Sequence, residues 1–148
     1  MLDPETARAA ILAGAEFIVA PTLNLRVIEV CHRYNKVVIP GAFTPTEILT
    51  AWEFGADFIK LFPAELGGPA LIKALRMPLP HVKLIPVGGV CLKNTSDFIR
   101  AGAAAVGIGS NLVDKKTVTE KRFADLTEMA RQFVAAVQAG RLSVKKEA

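Results

Sequence analysis

The sequence predicts an α/β fold in which parallel strands alternate with helices, and three observations carry that expectation. Short apolar, β-branched runs begin at residues 17, 37, 58, 83 and 105, so they stand 20, 21, 25 and 22 residues apart, the length of one compact βα unit each. The stretches between them carry helix start and stop signals. Three of those helices stop at the same Gly-Ala step, Gly14-Ala15, Gly55-Ala56 and Gly102-Ala103, which marks a repeated supersecondary unit. Apolar strands separated by helices pair as a parallel sheet covered on both faces.

Each element has a local reason. The first helix opens at Asp3-Pro4, an N-cap followed by proline at N1, and closes at Gly14, where glycine takes the left-handed conformation that ends a helix. The first two strands are expected over 17–20 and 37–40. Thr44-Pro45-Thr46-Glu47 reads as a capping box and opens a helix that runs to Phe54. The third strand, 58–62, is bounded by Gly55 and Pro63. Two more follow at 83–86 and 105–109, and a last helix over about 122–139 closes the fold. Residues 1–148 are expected to form one domain, with 141–148, which carries Arg141, Lys145 and Lys146, as a flexible tail.

Composition excludes several classes of function. Hydrophobic residues make up 51% and charged residues 22%, an ordinary soluble balance at its apolar end. No apolar run nears the ~20 residues of a membrane span, and the N-terminus lacks a basic-then-apolar signal, so a cytoplasmic location is expected. Cys31 and Cys91 form no CxxC pair and read as thiols of a reducing compartment. His32 and His81 have no second ligand at i+4, so no metal site is expected. The net charge of +4 comes without a basic stripe interleaved with aromatics, which argues against nucleic acid and suits a small anionic substrate.

One lysine stands in the middle of the third apolar run. Alternation puts Phe58, Lys60 and Phe62 on one face and Ile59 and Leu61 on the other. A strand lysine can be an edge device or can snorkel to water. Pointed into a covered apolar interior, the same amine loses basicity and can attack a carbonyl to form a Schiff base.

Two architectures accommodate five βα units. An open doubly wound sheet would place a glycine-rich phosphate loop after its first strand, but that loop is Pro21-Thr22-Leu23-Asn24. The glycines cluster at the other end, with Gly88-Gly89 after the fourth strand and Gly107, Gly109 and Ser110 at the fifth. Barrels of the (βα)8 type often bind phosphate with their last two strand ends, where glycine lets backbone N–H groups approach the anion. Such glycines can also be plain turn residues. Two such loops on consecutive final strands favour the anion reading, and Gly107-Ile108-Gly109 lacks the third glycine of a dinucleotide fingerprint.

FIKLFPAE (58–65), GGPALIKAL (67–75), IPVGGV (85–90), AVGIGSNLV (105–113) and PGAFTPTEI (40–48) together resemble the 2-keto-3-deoxy-6-phosphogluconate and 4-hydroxy-2-oxoglutarate aldolases. The resemblance implies a metal-free class I aldolase on a TIM barrel, needing no cofactor and assembled as a homotrimer. It implies that Lys60 forms the Schiff base with pyruvate and that Phe62 packs against the pyruvyl group. Pro21 and Val87 are the further substrate-binding positions, and Gly88, Gly89, Gly109 and Ser110 hold the phosphate of a phosphorylated keto-deoxy sugar acid.

Two departures from the family follow. A whole barrel takes about 200–250 residues, and by resemblance the five strands here are strands four to eight of an incomplete one. The family's catalytic glutamate, and an arginine and a threonine that bind carboxylate, belong to the preceding strands; Glu65 and Asp57 do not fit the glutamate's place. Impaired activity and open, association-prone strand edges are therefore expected. The second departure is Val87, where phosphogluconate-type members have threonine and the 6-phosphogalactonate aldolases have valine. Aldolase action on the galactonate epimer or on 4-hydroxy-2-oxoglutarate stays open, as does a phosphate-binding half-barrel without catalysis.

Overall fold

The computed structural model describes residues 1–147, with side-chain surroundings for residues 1–143. The order is α1 (Pro4–Leu12), β1 (Phe17–Val19), α2 (Leu25–Arg33), β2 (Val37–Ile39), β3 (Gly41–Ala42), α3 (Pro45–Glu53), β4 (Ile59–Leu61), a 3₁₀ turn (Ala64–Leu66), α4 (Gly68–Arg76), β5 (Leu84–Pro86), α5 (Leu92–Arg100), α6 (Lys115–Thr119) and α7 (Phe123–Glu147). Strands and helices alternate as the spacing predicts, and the expected helix ends form. The Asp3 carboxylate accepts from Thr6 N at 2.6 Å. Thr44 and Glu47 make both bonds of the capping box, at 3.3 and 2.8 Å. The N–H groups of Thr44 and Phe43 hold the Glu47 carboxyl below the usual carboxylate range. Gly14, Gly55 and Gly102 close their helices at φ 102°, 89° and 101°.

All strand pairs are parallel. β1 pairs with β2, and β4 lies between β3 and β5, with Lys60 opposite Gly41 on one side and Ile85 on the other. β2 and β3 are one run of chain divided at Pro40, which has no N–H to give to a ladder. The first half pairs with β1 and the second with β4, and Lys60 N donates to Pro40 O at 2.9 Å across the break. The strands thus form one arc in chain order.

Three expectations need correction. The run 105–109 is not a strand: it makes a single parallel bridge, Gly107 to Val87, because two glycines in five residues leave little side chain to pack. The sheet is covered on one face only among the described residues. Ile18, Val38, Ile59, Leu61 and Leu84 are buried against Ile28, Ile48, Ile72 and Phe98 of the helices, whereas Phe17, Val19, Val37 and Phe62 stay exposed on the concave side. The last helix does not end near residue 139. Its backbone continues to Glu147; Ser96 Oγ donates to Ala136 O at 2.7 Å and Arg141 to Ala104 O at 3.3 Å. Ala148 lies outside the described residues. Among those described, no helix is long and apolar enough to cross a membrane.

Candidate active site

β4 places Ile59 and Leu61 in the core and turns Lys60 to the concave side. Lys60 is half-buried, and its Nζ stands 4.6 Å from the centre of the Phe62 ring. Burial lowers the basicity of this amine, while the ring face favours the ammonium and opposes that shift. Beside it, Gly41 has a spatial rather than a conformational role. A Cβ there would lie 2.2 Å from Pro21 O and 2.8 Å from Thr22 N, so glycine lets the turn after β1 cross close to the lysine-bearing ladder.

Next to Phe62 a cleft of about 230 Å³ opens, lined by Phe62, Val87, Gly88, Gly89, Gly109, Ser110 and Asn111 among others. Gly88 and Gly89 turn the chain at φ 95° and 68°, where a side chain is strained. Val87 is tied on both sides, its N–H donating to Leu61 O at 3.0 Å and its C=O accepting from Ala64 N at 2.9 Å. Gly88 N–H faces Gly107 O in the one parallel bridge between these strand ends, whereas among the described residues the N–H groups of Gly89, Gly109 and Ser110 donate to no protein acceptor. Unspent donors around one concavity make an anion site.

The structure therefore brings six of the sequence-predicted residues to one cleft: Phe62, Val87, Gly88, Gly89, Gly109 and Ser110. Lys60 adjoins it through the Phe62 ring. Pro21 does not line it; it lies against Gly41, on the other side of the lysine. Sequence reasoning missed Asn111, which follows Ser110 and donates to Val90 O at 2.7 Å. No aspartate or glutamate lines the cleft among the described residues. Glu65 packs on Gly89 from outside, since a Cβ on Gly89 would meet Glu65 Cβ at 2.5 Å. Asp57 accepts from Val38 N at 2.9 Å, at the N-terminal side of β4 and away from the cleft. No group of three His, Cys, Asp or Glu side chains could hold a metal among the described residues.

Comparison with known proteins bears on this arrangement. The family model for KDPG and KHG aldolases matches residues 1–129. The chain is 36% identical over 138 residues to the 2-dehydro-3-deoxy-phosphogluconate aldolase of Treponema pallidum (strain Nichols), covering 93% of this chain and 66% of that protein. It is also 36% identical over 139 residues to the 2-dehydro-3-deoxy-6-phosphogalactonate aldolase of Escherichia coli (strain K12), covering 93% and 68%. A native KDPGal structure superposes with TM-score 0.88 at 35% identity, over 96% of this chain and 68% of that one. KDPG aldolase from Legionella pneumophila, with pyruvate captured as a covalent carbinolamine, gives TM-score 0.80 at 25% identity, over 93% and 65%. The chain spans about two thirds of the length of these relatives. With parallel βα units and the family model matched over most of its length, the chain belongs to the KDPG and KHG aldolase family.

Proposed function

We propose that the chain carries the lysine and phosphate parts of a class I aldolase site that cleaves 2-keto-3-deoxy-6-phosphogluconate to pyruvate and glyceraldehyde 3-phosphate. The observation that carries this reading is an amine made less basic by burial, on the concave face beside a cleft of unspent N–H donors. Lys60 Nζ attacks the C2 carbonyl, and loss of water leaves an imine. The protonated imine draws in the electrons of the C3–C4 bond as it breaks, releasing the aldehyde and leaving an enamine. Protonation of the enamine and hydrolysis return pyruvate and the free lysine. Phe62 packs against the pyruvyl group, Pro21 and Val87 flank the substrate, and the loops at Gly88-Gly89 and Gly109-Ser110 anchor the phosphate and align the bond. The carbinolamine captured in the Legionella relative supports the covalent step.

In this reading the five parallel positions are strands four to eight of a TIM barrel, and the active assembly is a cytoplasmic homotrimer. No carboxylate lines the cleft among the described residues, so proton transfer relies on a group from another part of the barrel. Without it the rate falls by about 10²–10⁴. The same observation favours a second reading, a phosphate-binding half-barrel without turnover.

Pyruvate release from the gluconate acid, its galactonate epimer and 4-hydroxy-2-oxoglutarate tests the choice. Both phosphorylated acids should react ahead of the unphosphorylated one, because only they engage the N–H cradle. Equal rates would remove the phosphate role, and no release from any of them would decide for the binding protein.

Val87 separates the epimers. It is half-buried, and its Cγ2 lies 2.7 Å from where a Cβ on Gly107 would sit. Threonine has nearly the same shape and can donate to a substrate hydroxyl that valine leaves unpaired. Val87→Thr is expected to raise kcat/KM for the gluconate epimer over the galactonate epimer about tenfold, equivalent to about 1.4 kcal/mol. An unchanged ratio would reduce Val87 to packing against Gly107.

A further inference from the structure

We infer that Asn94 and Asn111 are positioning residues that aim the backbone donors of the cleft and hold its two loops at a fixed separation. The inference rests on the phosphate reading of that cleft. Asn94, in the first turn of α5, donates from Nδ2 to Gly89 O at 3.0 Å and accepts at Oδ1 from Cys91 N at 2.8 Å. Asn111 donates to Val90 O at 2.7 Å. The carbonyls of Val87, Gly89 and Val90 are thus taken up by Ala64 N, Asn94 and Asn111 in turn.

In a trans planar peptide the C=O and the following N–H point in opposite directions. Tying the Gly89 carbonyl to Asn94 therefore turns the following N–H, that of Val90, away from the tie, and Val90 lines the cleft. Asn111 adds a link that the glycines cannot make. It stands directly after Gly109-Ser110 and reaches across 21 residues of sequence to the other loop. The backbone joins the same segments further back, by Ala104 N to Leu84 O and by the bridge at Gly107. A ligand gripped by both loops needs their spacing set before it arrives, since ordering them on binding would weaken the grip.

The probe is inorganic phosphate, titrated while the backbone amide resonances of Gly88, Gly89, Gly109 and Ser110 are followed. In the wild type both loops should respond with one dissociation constant. Asn111→Ala should weaken it about tenfold, the size of one lost hydrogen bond, and make the two loops respond separately. Asn111→Asp should weaken it further, because a carboxylate cannot donate to Val90 O and repels the anion. Asn94→Asp keeps the acceptor for Cys91 N, loses the donor to Gly89 O and should also bind more weakly. Thermal melting is recorded for each, since a merely structural role predicts losses that track Tm rather than donor chemistry. Unchanged affinity in Asn111→Ala and Asn94→Asp, with a normal wild-type response, would overturn this inference alone. A wild type whose loop amides ignore phosphate would remove the phosphate reading and this inference with it.

Discussion

Borohydride added together with pyruvate is expected to place a pyruvyl group on the peptide that carries Lys60, and Lys60→Ala is expected to abolish the labelling. Reduction traps an imine only where an unprotonated amine meets the carbonyl. Burial moves Lys60 toward that form by lowering its basicity, on the face that carries the Phe62 ring. Lys83 offers the useful contrast: its amine also stands over an aromatic ring, Phe58, at 5.4 Å, but on an exposed side chain away from the glycine loops. Label spread over surface lysines, or persisting in Lys60→Ala, would refute the assignment. The pH dependence has a definite sign. Folding lowers the pKa of Lys60, so below that lowered value the fold carries a penalty for the ammonium. The penalty is relieved as pH rises from the folded toward the unfolded pKa. Lys60→Met, which keeps the length and removes the charge, should therefore melt above the wild type at neutral pH while forming no adduct. The two measurements separate reactivity from folding.

The second large effect belongs to a residue with no chemistry. Gly41→Ala is expected to lower Tm by about 6–12 °C, the shift for roughly 3 kcal/mol in a domain of this size. The new Cβ would meet Pro21 O at 2.2 Å, Pro21 C at 2.3 Å and Thr22 N at 2.8 Å. All three are backbone atoms, so no side chain can swing aside, and overpacking of this kind costs about 1–3 kcal/mol or more. Relief requires β3 to part from the turn after β1, and β3 is the ladder partner of Lys60. Labelling by pyruvate should therefore weaken together with stability. Gly109→Ala is the control, because nothing lies within 4 Å of a Cβ there. A Gly41→Ala protein that melts like the wild type would show that the close approach is wrong.

What was legible in the sequence was local or periodic. Alternation alone sorted Ile59 and Leu61 from Lys60 and Phe62, and the capping box at Thr44 and the Gly-Ala helix ends follow from bonds within a few residues. Glycine placement marked four cleft residues, Gly88, Gly89, Gly109 and Ser110, because parallel strands put successive loops at the same end, whereas the binding roles of Phe62 and Val87 came from the family resemblance. The misses depend on distant partners or on packing. Asn111 reaches Val90 and Ser96 reaches Ala136, 21 and 40 residues apart, and neither spacing leaves a periodic trace. Apolar runs signal that a face wants cover, yet do not say whether it has it, which is why the concave side was misjudged. The 105–109 run looked like a strand by hydrophobicity, while its glycines left it one bridge.

The arc also distributes stiffness. β4 is bonded from both sides, with Ile59 N, Lys60 N and Phe62 N donating to Lys83 O, Pro40 O and Ala42 O, whereas among the described residues the segment leading to Gly109 is bonded to the sheet from one side, by Ala104 N to Leu84 O and the bridge at Gly107. Local opening follows the density of such bonds. Lys60 is therefore mounted on a strand held from both sides, while the segment before Gly109 keeps its place through few backbone bonds and the Asn111 link to Val90, so local opening starts at that end of the arc and not at the lysine. A disturbance at the glycine loops should therefore leave the setting of Lys60 intact, whereas one in β3 or β5 reaches it directly.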